Sequence, residues 1–169
     1  MKNHPNKNRN NFIWNQKGVT LIEILVVVAI LSIAAGSAGI GMSLAYSRDA
    51  EKCAKTINSA LENTRMLSMS EKGVFTMEVD MENNILLIRN SEETEPVLRE
   101  ELQSRVQIYL PVDTSATSVT VQFDKSTGKV LSMSAEDNGI LRITAENNSG
   151  KKASVILVKG TGKHYVEYK

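Results

Sequence analysis

Residues 19–47 read VTLIEILVVVAILSIAAGSAGIGMSLAYS, and from Ile24 to Ser47 no side chain is charged. A bilayer core ~30 Å thick is crossed by about 20 mainly apolar helical residues, so this run is long enough to span. Before it stand Lys2, Lys7, Arg9 and Lys17 with no acid among residues 1–18. After it, Arg48, Asp49, Glu51 and Lys52 balance one another. The positive-inside rule therefore holds residues 1–18 in the cytoplasm and exports the C-terminal part. Three outcomes fit this pattern. The segment is a permanent anchor, or a secretory signal cut among the small residues near 34–39, or an apolar helix that stays after the basic leader alone is removed.

Glu23 bears on that choice. An acid in a spanning segment costs roughly 2.5–3.5 kcal/mol near the bilayer centre and is expected to have a function. Gly18 gives a protease an extended, unhindered backbone before Val19. A cut there creates an α-amine at Val19, one helical turn from Glu23, and the carboxylate can pair with that amine on another copy. Thr20-Leu21-Ile22-Glu23 also fits a local capping box, with an acid suited to the helix dipole. The two roles are compatible.

Lys17-Gly18-Val19-Thr20-Leu21-Ile22-Glu23 and the apolar run from Ile24 to Leu31 resemble the class III signal of type IV pilins and pseudopilins. The resemblance implies that a prepilin peptidase cuts between Gly18 and Val19 and methylates the Val19 amine. It also implies that Glu23, the fifth mature residue, is the carboxylate of filament assembly. Val19 departs from the commoner phenylalanine. Further implied partners are other pilin subunits, an assembly platform protein, membrane lipid and, indirectly, an assembly ATPase. The implied location is the cytoplasmic membrane, single-pass with the C-terminal domain exported, and then an extracytoplasmic filament at the cell surface.

Beyond the apolar run, helical spacing continues. Ala50, Cys53, Ala54, Ile57, Ala60, Leu61, Thr64, Leu67 and Ser68 recur at three- and four-residue steps. A helix from about Thr20 to Glu71 would be ~78 Å long. Gly36, Gly39 and Gly41 interrupt it, each costing up to ~1 kcal/mol against alanine. They allow close helix packing, or let this stretch loosen when a subunit enters a filament. Cys53 falls on the packed stripe and reads as a buried small hydrophobe.

After Gly73 the period changes to two. Phe75, Met77, Val79 and Met81 alternate with Thr76, Glu78 and Asp80, and the turn at 82–84 leads into a second strand at 85–88. Further strands are expected at 97–102, 106–110, 119–123, 130–133, 140–145, 155–159 and 164–168. The fold class is α+β: a long N-terminal helix, membrane-spanning in its first half, packed on a C-terminal antiparallel β-sheet domain, as in pilins. The expected parts are a leader at 1–18, an apolar helix at 19–47, an amphipathic continuation at 48–72 and an exported β-rich domain at 73–169. The β-patterns at 119–123, 140–144 and the last hairpin through Gly160 are similar to the GspH/FimT branch of minor pseudopilins.

The composition narrows the chemistry. The 169 residues carry a formal net charge of +1, one cysteine and two histidines. An internal disulfide framework is excluded, and neither a metal site nor a cofactor is expected. Gly160-Thr161-Gly162-Lys163 lacks the flanking residues of a phosphate loop, with Leu157 and His164 in their places. Residues 124–128 hold too few oxygen ligands for a calcium loop. No nucleophile elbow or zinc-hydrolase motif occurs, so the chain reads as a non-enzyme. His164 is expected at the surface. Lys151, Lys152, Lys159, Lys163 and Lys169 lie among Tyr165 and Tyr168. Lys151, Lys152 and Lys163 are candidate DNA contacts, or the lysines protect a solvated edge strand. The function read from all this is a structural filament subunit, a minor pilin or pseudopilin of a type IV pilus or type II secretion-like filament. The alternatives are a competence pseudopilin contacting DNA, and a secreted or anchored binding domain outside any filament.

Overall fold

Thr20 starts the first helix. Its Oγ1 accepts the Glu23 N–H at 3.3 Å, and its carbonyl accepts from Glu23 and Ile24. This is N-cap geometry, which satisfies amide groups that otherwise lack partners. The computed structural model describes residues 19–168, with side chains of the first helix described as far as Ala35. Helix α1 (Leu21–Ser47) runs through Gly36, Gly39 and Gly41 without interruption. The described large apolar side chains of α1 are exposed on every side, from 47% at Val26 to 82% at Leu21. Ser32 returns its hydroxyl to the Val28 carbonyl at 2.7 Å, so the helix satisfies that polar group internally. Among the described residues no helix is long and apolar enough to cross a membrane. The uncharged run itself continues to Ser47.

The chain divides into two compact units at Ile40/Gly41. The second holds helix α2 (Asp49–Ser70) and nine strands. The single helix expected over 20–71 is divided at Arg48, whose backbone stays right-handed at φ −94° and ψ −10°. The break falls where all-round apolar sequence gives way to an amphipathic one. In α2, Ala50, Cys53, Ala54, Ile57, Ala60, Leu61, Thr64 and Ser68 are buried, as the spacing predicts. The buried hydroxyls of Thr64 and Ser68 bond the carbonyls of Ala60 and Thr64.

The strands are β1 (Phe75–Asp80), β2 (Ile85–Asn90), β3 (Leu98–Glu101), β4 (Val106–Tyr109), β5 (Ser118–Phe123), β6 (Val130–Met133), β7 (Ile140–Asn147), β8 (Lys152–Val158) and β9 (Lys163–Tyr168). They form two antiparallel sheets, ordered β3-β2-β1-β5-β6 and β4-β7-β8-β9. Helix α2 packs on both. Phe75, Met77 and Val79 of β1 and Val119, Val121 and Phe123 of β5 are buried. They join Leu141, Ile143, Val155 and Leu157 of the second sheet in one core around α2. β8 begins three residues earlier than expected. Its polar start pairs with the long β7, Glu146 opposite Lys152, so the ladder extends a strand that hydrophobicity alone would shorten.

The sheets meet where two turns touch. Gly162, at φ +66°, closes on the Gly128 carbonyl, leaving no room for a Cβ. The Arg65 and Met69 side chains lie against Gly128 from α2. The β5–β6 turn is fastened by Asp124. Its Oδ1 accepts from the amides of Ser126 and Thr127 and from both hydroxyls. The Thr127 hydroxyl bond, followed by that of Ser126, pulls the carboxyl down from 3.8 to about 2. A depressed folded-state value means stability present above the unfolded value and lost as pH falls through the folded one. Asp124→Asn is therefore expected to flatten the fall in thermal midpoint between pH 3.8 and about 2. Thermal melts across that range check it, and an unchanged slope counts against the turn's role.

Candidate processing and assembly site

Val19 and Thr20 lie just before α1 and are exposed, Val19 at 65%. Gly18, the expected cleavage residue, lies outside the described residues, as does Lys169. Glu23 occupies the first turn of α1 and is exposed. Only half of the capping box forms. Thr20 caps the Glu23 amide, while among the described residues the Glu23 carboxylate has no hydrogen-bond or ion-pair partner. The local role thus belongs to Thr20, and the acid is left facing outward from an apolar helix.

Residues 15–39 match the family described as the prokaryotic N-terminal methylation motif. That motif supports the type IV pilin/pseudopilin family. No curated protein and no solved structure matches it. The match covers Val19 and Glu23 and the described apolar part of α1. The motif implies a membrane-anchored N-terminus with an exported C-terminal domain, and it suggests prepilin peptidase and other pilin subunits as partners. The same motif suggests a structural rather than a catalytic protein.

The candidate DNA-contacting lysines of this chain are not one cluster. Lys152 opens β8 and Lys163 opens β9, opposite Val158 at the other end of the hairpin. Six residue steps separate these ends, ~20 Å. Lys151 precedes β8 in the turn organised by the Asn147 side chain. Lys152 Nζ sits 3.0 Å from Glu146 Oε2 and 3.3 Å from the Tyr109 hydroxyl. Its hydrogen bond holds the Glu146 carboxyl below the usual range and raises its own ammonium. Lys159 pairs with Glu136 at 2.6 Å. Two lysines of the linear run around Glu167 are thus answered by acids, Glu146 on β7 and Glu136 in the loop after β6, which sequence order cannot show. Glu167 itself pairs with Arg142 at 2.6 Å.

His164 corrects the expectation of a surface residue. Its side chain is only 7% exposed. Nδ1 lies 2.9 Å from Asn58 Oδ1 and Nε2 lies 3.0 Å from Glu62 Oε2, both on α2. The register explains it: His164 stands opposite Leu157, whose side chain is in the core, so the ring faces the helix. Alternation within β9 carried the signal, because Val166 shares that face. His164→Ala is expected to cost the domain about 1–2 kcal/mol through two lost hydrogen bonds. Urea unfolding should show a lower midpoint at unchanged m value, and an unmoved midpoint would remove the clasp. Cys53 is buried, which pushes its thiol up to about 12. It is a packed hydrophobe without nucleophilic use.

Proposed function

We propose that this chain is a minor pilin or pseudopilin, nearest the GspH/FimT branch, in a type IV pilus or type II secretion-like filament. The observation that carries the reading is α1: apolar on all described sides, unpartnered, with one free carboxylate in its first turn. Residues 1–18 act as a cytoplasmic leader and 19–47 as anchor and filament-core helix. Residues 48–72 continue as the domain's packing helix, and 73–169 form the exported β-rich part. Prepilin peptidase cuts between Gly18 and Val19 and methylates the Val19 amine. A platform protein and, through it, an ATPase drive extension, while membrane lipid solvates α1 beforehand.

In the filament, the Glu23 carboxylate meets the cationic Val19 amine of a neighbouring subunit. Taken alone, an acid among apolar helices costs several kcal/mol, and an ion pair with good geometry offsets that cost. Apolar packing of α1 supplies cohesion, and the pair sets the stagger. The candidate lysines are dispersed and Lys152 is paired with Glu146, which gives the DNA-uptake reading no added support.

Intact mass of the mature protein tests the proposal. A chain starting at methylated Val19 is expected. A start near Ser37 would instead mean a secreted domain, and retention of Met1 or Lys2 a plain anchor.

A further inference from the structure

One outer strand of the first sheet is acidic, and the corner beside its other outer strand is basic. β3 and β6 are its edges, with three strands between them, so about 19 Å separates them at ~4.8 Å per step. On β3 and the loop before it, Glu92, Glu95, Glu100 and Glu101 are exposed. None of these four has an ion-pair partner among the described residues. Arg99 is the single cation in the sequence from Ser91 to Glu101.

The corner beside β6, the far edge, is basic for a tertiary reason. Because Gly162 closes on Gly128, the next residues, Lys163 and Lys129, are brought to one corner. Val130 N–H reaches the Lys159 carbonyl at 3.4 Å across the same junction. Both lysines are exposed, and neither has an ion-pair partner among the described residues. Arg65 lies against Gly128, and Lys125 Nζ donates to the Glu71 carbonyl at 2.9 Å, which uses a donor without neutralising the charge.

Charges on an edge strand ordinarily block pairing with other chains. Same-sign edges would repel copies of this chain whichever edges met. An acidic edge and a basic corner attract them in one arrangement. Resting on the filament reading above, we propose that the Glu100/Glu101 edge of one copy docks on the Lys129/Lys163 corner of the next. The two patches differ, so the contact is heterologous and repeats along an open assembly instead of closing a dimer. Such complementarity fixes register and orientation more than raw affinity.

The test uses full-length chains carrying two different tags, co-expressed and pulled down from membranes. Four forms are compared: the natural chain, Glu100→Lys/Glu101→Lys, Lys129→Glu/Lys163→Glu, and all four changes together. Each two-site reversal is expected to lower like-with-like capture roughly tenfold, since like charges then face each other. The fourfold reversal restores capture by its own kind and is captured poorly by the natural chain. Equal capture in all combinations overturns the proposal, as does a fourfold form no better than either two-site form. Thermal midpoints of the four forms identify any folding defect, and the restored form shows directly that the charges are tolerated. N-terminal mass of the same samples reports separately on processing, so failure of the filament reading is distinguishable from failure of the edge contact.

Discussion

Glu23→Ala is expected to leave processing and folding intact while lowering incorporation into filaments at least tenfold, or ~1.4 kcal/mol in equilibrium terms. The direction follows from three observations. The capping function of this turn is performed by Thr20 Oγ1 acting on a backbone amide, which alanine at 23 retains. The carboxylate has no partner among the described residues, so its removal leaves no orphaned group there. The helix beyond Glu23 offers only apolar surface as far as its side chains are described, aside from the self-satisfied Ser32. Alanine also relieves the cost of an acid in the bilayer, roughly 2.5–3.5 kcal/mol near its centre. The variant should therefore sit at least as stably in the membrane and still fail to leave it. Glu23→Gln separates charge from shape and should behave like alanine. Immunoblots of sheared filaments against membranes give the measurement. A processed, stable alanine variant found in filaments at the natural level would end the ion-pair account.

Leu61→Ala carries the largest expected effect on the domain itself. Leu61 is fully buried on α2, the helix on which both sheets pack. Truncating a buried leucine costs the transfer energy plus the cavity left behind, ~2–5 kcal/mol. A domain of this kind has about 5–15 kcal/mol in total, so the loss is a large fraction. Met66→Ala on the same helix is the control. Met66 is 58% exposed, and its loss should shift stability by about 0.5 kcal/mol or less. Urea unfolding of both variants decides it. If the two midpoints move equally, α2 is not the centre of the core.

Much of this was legible in the residues. The alternation of Phe75, Met77 and Val79 places three side chains in the core, and all three are buried. The three- and four-residue spacing from Ala50 to Ser68 predicts the buried face of α2 at every position except Leu67, which is half-buried. The segment holding Gly18, Val19 and Glu23 was picked out by its resemblance to the class III signal, a short motif of neighbouring residues, and residues 15–39 match the methylation motif. Other features were hidden. His164 looked solitary, since its partners Asn58 and Glu62 stand far away in the chain. Lys152 looked free because Glu146 reaches it only through the β7–β8 ladder.

The chain by itself determined the kind of each element and the processing signal, since both follow from short-range periodicity and steric access. Tertiary structure alone decided that nine strands divide into two sheets around α2. It also decided which charges are neutralised and that two glycine turns set Lys129 beside Lys163. Those outcomes depend on strand order and register, which bring residues together across long stretches of sequence, and no local pattern encodes such pairing.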